Sequence, residues 1–162
     1  MKKEITTIAF VVGIALAIAL MEITSVQAMT LNFSWNGNDN YSAIGSFSYD
    51  ENTAPVMFSE KGFGTTKVLQ SLQISFFDNS NHLLATYNNV INGKSTNNYF
   101  RFNFNTVKKE MFGFLDLGGE LPGEIYLQGT VNNNLKIVYI PESDSDVILD
   151  SNSGSIAVKA GS

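Results

Sequence analysis

Three carboxylates crowd one short stretch of the chain. Asp116, Glu120 and Glu124 surround the turn residues Gly118-Gly119 and Pro122-Gly123. A glycoside hydrolase needs two carboxyl groups facing one cleft, about 5 to 10 Å apart. Asp116 and Glu124 lie on either side of that turn and could face each other across a hairpin. Charges at a hairpin end also serve as ordinary solubility devices. The other routes to catalysis are poorly supplied. His82 is the only histidine, beside the turn Asp78-Asn79-Ser80-Asn81, so a Ser-His-Asp arrangement would have to use it. A solvated turn histidine is the expectation, and no Gly-x-Ser-x-Gly elbow occurs. Hence no residue is assigned as catalytic.

Hard oxygen ligands gather late in the chain, where Asp144, Asp146 and Asp150 lie near Glu142. Asn36, Asn38 and Asn40 also alternate as loop ligands sometimes do. Neither run has the glycine and glutamate positions of the twelve-residue Ca²⁺ loop, so the acidic run reads as a solvated loop with only a weak claim on calcium. One histidine and no cysteine leave zinc without its usual ligands. No metal and no cofactor is expected.

Aromatic residues are the more informative class. Trp35, Tyr41, Phe58, Phe63, Tyr87 and Tyr99 could line a sugar-binding surface, where aromatic faces stack on pyranose rings and Asn or Asp bonds the hydroxyls. Tyr99 stands out because it lies opposite the Phe100 face and beside Arg101. Phe58 and Phe63 fall in a stretch, Glu51 to Thr66, that reads as loop. Tyr87 completes the set of candidate stacking residues: Tyr99, Tyr87, Phe58 and Phe63. The competing reading places Trp35 and most Phe in the core, given their in-phase alternation.

The elements that must hold these residues are strands. Leu31, Phe33 and Trp35 alternate with Asn32, Ser34 and Asn36; Leu72, Ile74 and Phe76 alternate with Ser71, Gln73 and Ser75. Phe100, Phe102 and Phe104 alternate with Tyr99, Arg101, Asn103 and Asn105. A period of two is that of a strand with one buried face. Runs such as Asn36-Gly37-Asn38-Asp39-Asn40, Asn92-Gly93 and Asn132-Asn133-Asn134 separate the strands, since Asn and Gly accept the positive φ of tight turns. The pattern predicts an all-β fold, an antiparallel, jelly-roll-like β-sandwich of about eight to nine short strands following an N-terminal signal helix. The stretch Glu142 to Gly154, acidic and Ser-rich, reads as a second long loop.

The N-terminus reads as an address. Lys2 and Lys3 precede the uncharged apolar run Ile8 to Met21, and a more polar segment ends at Val26-Gln27-Ala28. Those three parts in that order are an export signature. The apolar run of 14 residues is short for a membrane span, which needs about 20. The expected division is a signal peptide over 1–28 and a single β-sandwich domain over 29–162. After cleavage no stable membrane anchor is expected, and the product would be free in the periplasm or secreted.

Charge and cysteine limit the partners. Removing the signal leaves the net charge at −5, because it carries two basic and two acidic residues. A sparsely charged acidic chain lacks the Lys and Arg density that phosphate contacts need, so nucleic acid is not an expected partner. Cysteine is absent, so stability must rest on apolar burial, to which 11 Phe, 6 Tyr and one Trp after the signal contribute.

Several blocks carry a family resemblance. Phe33-Ser34-Trp35, the run Tyr41 to Asp50, and Leu69-Gln70-Ser71-Leu72 with Ser75-Phe76-Phe77-Asp78 and Leu83-Leu84 resemble exported cyanobacterial proteins of the PEP-CTERM type. Phe102 to Thr106 followed by Phe112-Gly113 is similar too. Members of that group usually end in a Pro-Glu-Pro sorting motif, an apolar segment and a basic tail. Here Pro141-Glu142-Ser143 is followed by Asp144, Ser145 and Asp146, so sorting by that route is not expected. The resemblance implies a non-enzymatic protein of the cell envelope or extracellular matrix, with extracellular polysaccharide or envelope components as partners. A carbohydrate-binding module and a glycan-active hydrolase are the alternatives.

Overall fold

Residues 28–143 and 145–161 are described by a computed structural model. The signal segment up to Gln27, and Asp144 among the calcium candidates, lie outside the described residues. Fourteen strands run in chain order: β1 Ala28–Asn36, β2 Ser42–Asp50, β3 Met57–Lys61, β4 Gly64–Thr65, β5 Leu69–Phe77, β6 Leu83–Ile91, β7 Lys94–Ser95, β8 Arg101–Asn105, β9 Glu110–Met111, β10 Phe114–Gly118, β11 Ile125–Thr130, β12 Asn134–Tyr139, β13 Val147–Asn152 and β14 Ala157–Ala160. They form two open antiparallel sheets, as the alternation predicted. The first sheet has the order β14-β1-β2-β5-β6-β7-β4. The second has the order β13-β12-β11-β10-β8-β3, with β9 alongside β8.

The core lies between the two inner faces. Phe33 and Trp35 of β1, Phe47 and Tyr49 of β2, and Ile74 and Phe76 of β5 are buried from the first sheet. Phe102 and Phe104 of β8, Leu115 and Leu117 of β10, and Leu127 and Ile137 meet them from the second. Phe47 sits between Phe102 and Phe104, its ring centroid 4.9 Å from each in edge-on geometry. Such edge contacts add to area burial because a ring's positive rim meets its neighbour's negative face. Gly45 makes room for this packing: a Cβ there would stand 2.2 Å from the Phe33 ring.

The turns follow the asparagine signals. Asn40, Asn81, Asn92 and Asn132 all have positive φ, between 49° and 68°. Each falls in a turn marked by its Asn-rich sequence.

More strands form than the alternation suggested, and three of them lie in the two stretches that read as long loops. Glu51 to Thr66 holds β3 and β4. Its inward residues are Phe58 and Glu60, and a buried glutamate hides the apolar period. The Glu60 carboxylate is buried because it accepts the backbone N–H groups of Lys67 at 2.9 Å and Val68 at 2.6 Å. Glu142 to Gly154 holds β13, an edge strand whose inward residue Asp150 is likewise a carboxylate.

Candidate functional site

The outer faces of the two sheets differ. On the first, hydroxyls and amides close on one another across the strands: Ser48 with Ser71 at 2.6 Å, Ser75 with Thr86 at 2.8 Å, and Gln73 Nε2 donating to Asn88 Oδ1 at 2.9 Å. Those groups bond one another across the strands.

The second sheet carries a groove. Two adjoining depressions, about 310 and 510 Å³, share Tyr99, Asp116 and Gln128. Toward β12 the groove continues past Glu120, Tyr126 and Asp146; toward β3 it continues past Arg101, Phe114 and Lys61. Its floor follows from register. Lys61 pairs with Arg101, Arg101 with Asp116, Asp116 with Gln128, and Gln128 with Lys136. Residues in register on adjacent strands point to the same face. These five therefore form one polar row across β3, β8, β10, β11 and β12, with Lys136 beyond the lining of both depressions and Phe114 two residues before Asp116 on the same face.

Tyr99 is mounted rather than loose. The residue is 68% exposed, while the neighbouring Phe100 is buried in the core. The Glu120 carboxylate accepts the backbone N–H of Asn98 at 2.7 Å and of Tyr99 at 3.1 Å, and the Asn98 side chain at 2.9 Å. Asn97 Nδ2 donates to the Gly118 carbonyl at 2.7 Å, which also accepts from buried Asn89 of β6 at 2.7 Å. Asn89 in turn accepts the Gly118 N–H at 2.9 Å, locking the two sheets together beneath the groove.

The electrostatics centre on Asp116. Burial pushes its carboxyl up to about 6, against the opposing pull of the Gln128 hydrogen bond and the Arg101 charge. Gln128 Nε2 donates to Asp116 Oδ2 at 2.9 Å. Tyr126 donates its hydroxyl to Asp146 Oδ2 at 2.7 Å. Desolvation first, and that bond second, hold its phenol above the ordinary tyrosine range. Arg101 lies over the Phe114 ring, 5.6 Å from its centroid.

No known protein family, curated protein or solved structure matches this chain. The geometry alone therefore sorts the sequence candidates.

Tyr99 stands in the groove. Phe63 is 74% exposed, one residue beyond the groove-lining Gly62. Phe58 is corrected: it lies on β3, is only 6% exposed, and packs against Tyr49, Phe102 and Phe104. Tyr87 is corrected as well. Its ring meets Phe76 edge-on at 6.0 Å, and its hydroxyl accepts the Ile125 N–H at 3.1 Å, so it bridges the sheets rather than offering a face. Trp35 is fully buried, and Tyr41 packs on the core edge.

The carboxylates are separated by their partners. Glu124 Oε2 accepts the N–H groups of Glu120 at 2.7 Å and Leu121 at 2.8 Å, so it caps the β10–β11 turn instead of facing Asp116 across a cleft. Asp150 is withdrawn as a calcium ligand. It is 3% exposed, and its carboxylate accepts from Asp39 N at 3.0 and 3.1 Å, Tyr41 N at 3.0 Å and Ser151 N at 2.6 Å. Both oxygens thus hold the β1–β2 turn. Asp146 lies elsewhere, in the groove beside Tyr126. Among the described residues no three His, Asp or Glu side chains converge as metal ligands. His82 stays on its exposed turn, 3.1 Å from Asp78.

Sequence reasoning missed Phe114, Tyr126, Gln128, Lys61 and Asp146 as groove residues. A signal existed on β10, where Phe114 and Asp116 share the phase opposite to buried Leu115 and Leu117. Tyr126 gave none, because it sits inside the apolar run Ile125-Tyr126-Leu127.

Proposed function

We propose that this chain is an exported, non-catalytic β-sandwich that binds polysaccharide of the envelope or extracellular matrix in the groove of its second sheet. One observation carries the reading: Tyr99 presents an exposed ring over a groove floored by Asp116 and Gln128, while its backbone is clamped by Glu120 and Asn97. An aromatic platform beside a few fixed hydrogen-bonding groups suits a sugar ring, whose faces are apolar and whose rim is hydroxyl. Clamping the platform before the ligand arrives lowers the ordering cost of binding. The groove is open along its length, which suits an internal segment of a chain. The export signature and the resemblance to PEP-CTERM-type proteins support an extracytoplasmic setting.

Affinity electrophoresis against a panel of soluble polysaccharides tests this. Retardation of the wild-type protein, lost in Tyr99→Ala with unchanged thermal unfolding, is the expected result. Equal mobility on every polysaccharide and on plain gel sinks the reading. Turnover of any glycan that disappears in Asp116→Asn would replace it with a hydrolase.

A further inference from the structure

The row that runs along the groove and past its end has an unusual charge. Lys61 and Arg101 are directly opposed on neighbouring strands, and Lys136 lies three strands beyond Arg101 in the same row. Like charges directly opposite on a sheet repel. This chain has only 10 Lys and Arg in all and a net charge of −5, so three cations in one row are not a general surface property. Among the described residues none of the three forms an ion pair, although the Arg101 charge acts on Asp116 across the row. Among the described residues the ion pairs are Lys109 with Glu51 and His82 with Asp78, both elsewhere. The one carboxylate in the row, Asp116, is held by Gln128 and makes no ion pair with Arg101. The two carboxylates at the groove's other end are already occupied, Glu120 by Asn98 and Tyr99, and Asp146 by Tyr126.

We infer that Lys61 and Arg101 form an anion subsite of this groove, and that its ligand is an acidic polysaccharide whose uronate carboxylates are spaced by uncharged sugars. The inference rests on the glycan-binding reading and names its ligand class. The Arg101 guanidinium lies over the Phe114 ring, 5.6 Å from its centroid, and forms no ion pair among the described residues. Its planar fork matches a planar carboxylate with two parallel hydrogen bonds. Spacing supports the alternation. Strands lie about 4.8 Å apart, so Arg101 and Lys136 are separated by roughly 14 Å, with Asp116 and Gln128 between them. A uronate over Lys61 and Arg101 then places an uncharged neighbour over Asp116, where a second carboxylate would be repelled.

The test compares acidic polysaccharides with their own carboxyl-reduced forms. Hyaluronate, in which uronates alternate with uncharged sugars, and alginate and polygalacturonate, in which every sugar is a uronate, serve as affinity-electrophoresis matrices, each native and reduced, with DNA as a control polyanion. Hyaluronate is expected to retard the protein most, and stronger retardation by either all-uronate polymer overturns the spacing. The wild-type protein is expected to be retarded at least about tenfold more strongly by a native form than by its reduced form, as fits the loss of charge-assisted bonds. Salt should weaken that preference. Lys61→Gln combined with Arg101→Gln should abolish the preference yet keep the weaker binding to the reduced form. Tyr99→Ala should lose binding to both. Equal retardation by native and reduced forms overturns the anion subsite while leaving the glycan groove standing. Stronger retardation by DNA than by any polysaccharide overturns it in favour of a polyphosphate ligand. No retardation by any matrix removes the subsite and the glycan reading together.

Discussion

Asp116 is a carboxylate kept where it costs stability. Burial raises its pKa to about 6 from an ordinary value of 3.8, so the folded protein binds more protons than the unfolded chain between those limits. Stability therefore falls as pH rises from about 4 to about 6, and stays lowered above that window. Because the group is partly exposed, the cost is discounted to on the order of 1 kcal/mol. Asp116→Asn should raise the unfolding midpoint at pH 7 and flatten the pH dependence between 4 and 6; urea titrations at several pH values read this directly. An unchanged pH profile would mean that the carboxylate is not desolvated as described. Retention of a group at such a cost is common at functional sites. At this scale the sequence was only partly legible. Tyr99 was readable because it is out of phase with Phe100, Phe102 and Phe104. Phe58 misled because the period around it is completed by buried Glu60, and Tyr87 misled because its hydroxyl reaches a backbone N–H that no sequence pattern announces.

At the scale of elements, three buried or turn-capping carboxylates do the work that glycine and proline usually do. Glu60 holds the approach to β5, Glu124 holds the β10–β11 turn, and Asp150 holds the β1–β2 turn from 109 to 111 residues away. Asp150→Ala would strand the N–H groups of Asp39 and Tyr41 and is expected to cost on the order of 3 kcal/mol, measurable by denaturant unfolding. Asp150→Asn, which keeps an acceptor, should cost less. A change near zero in the alanine variant would show that the turn holds itself. Calcium is expected to leave the unfolding midpoint unchanged, since both Asp150 oxygens are in use. The same carboxylates explain why β3 and β13 were invisible in the sequence. Their inward positions hold Glu60 and Asp150, which a search for alternating apolar residues reads as loop. Strands β1, β5 and β8, whose inward positions are aromatic or aliphatic, were legible from their alternation.

For the whole molecule, stability rests on one aromatic seam between two sheets in a chain without cysteine. Phe47 is its centre, touching Phe33, Tyr49, Phe102 and Phe104. Phe47→Ala should destabilise by about 3 to 5 kcal/mol and lower the unfolding midpoint sharply; a loss below about 1 kcal/mol would contradict this packing. The all-β class and the sandwich followed from periodicity and Asn-rich turns, because both are local in sequence. The groove was not legible, since it is assembled by register among β3, β8, β10, β11 and β12, and register is set by pairings distant along the chain. The sandwich thus spends one outer face on mutually bonded hydroxyls and the other on an open row flanked by Tyr99 and Phe114. The most direct test of the central claim is the affinity of the wild-type and Tyr99→Ala proteins for the same acidic polysaccharide, measured by affinity electrophoresis on samples shown to unfold at the same temperature. A wild-type protein that is retarded and a Tyr99→Ala protein that runs free is the result expected. Equal retardation of the two would contradict the claim that this groove is the binding site.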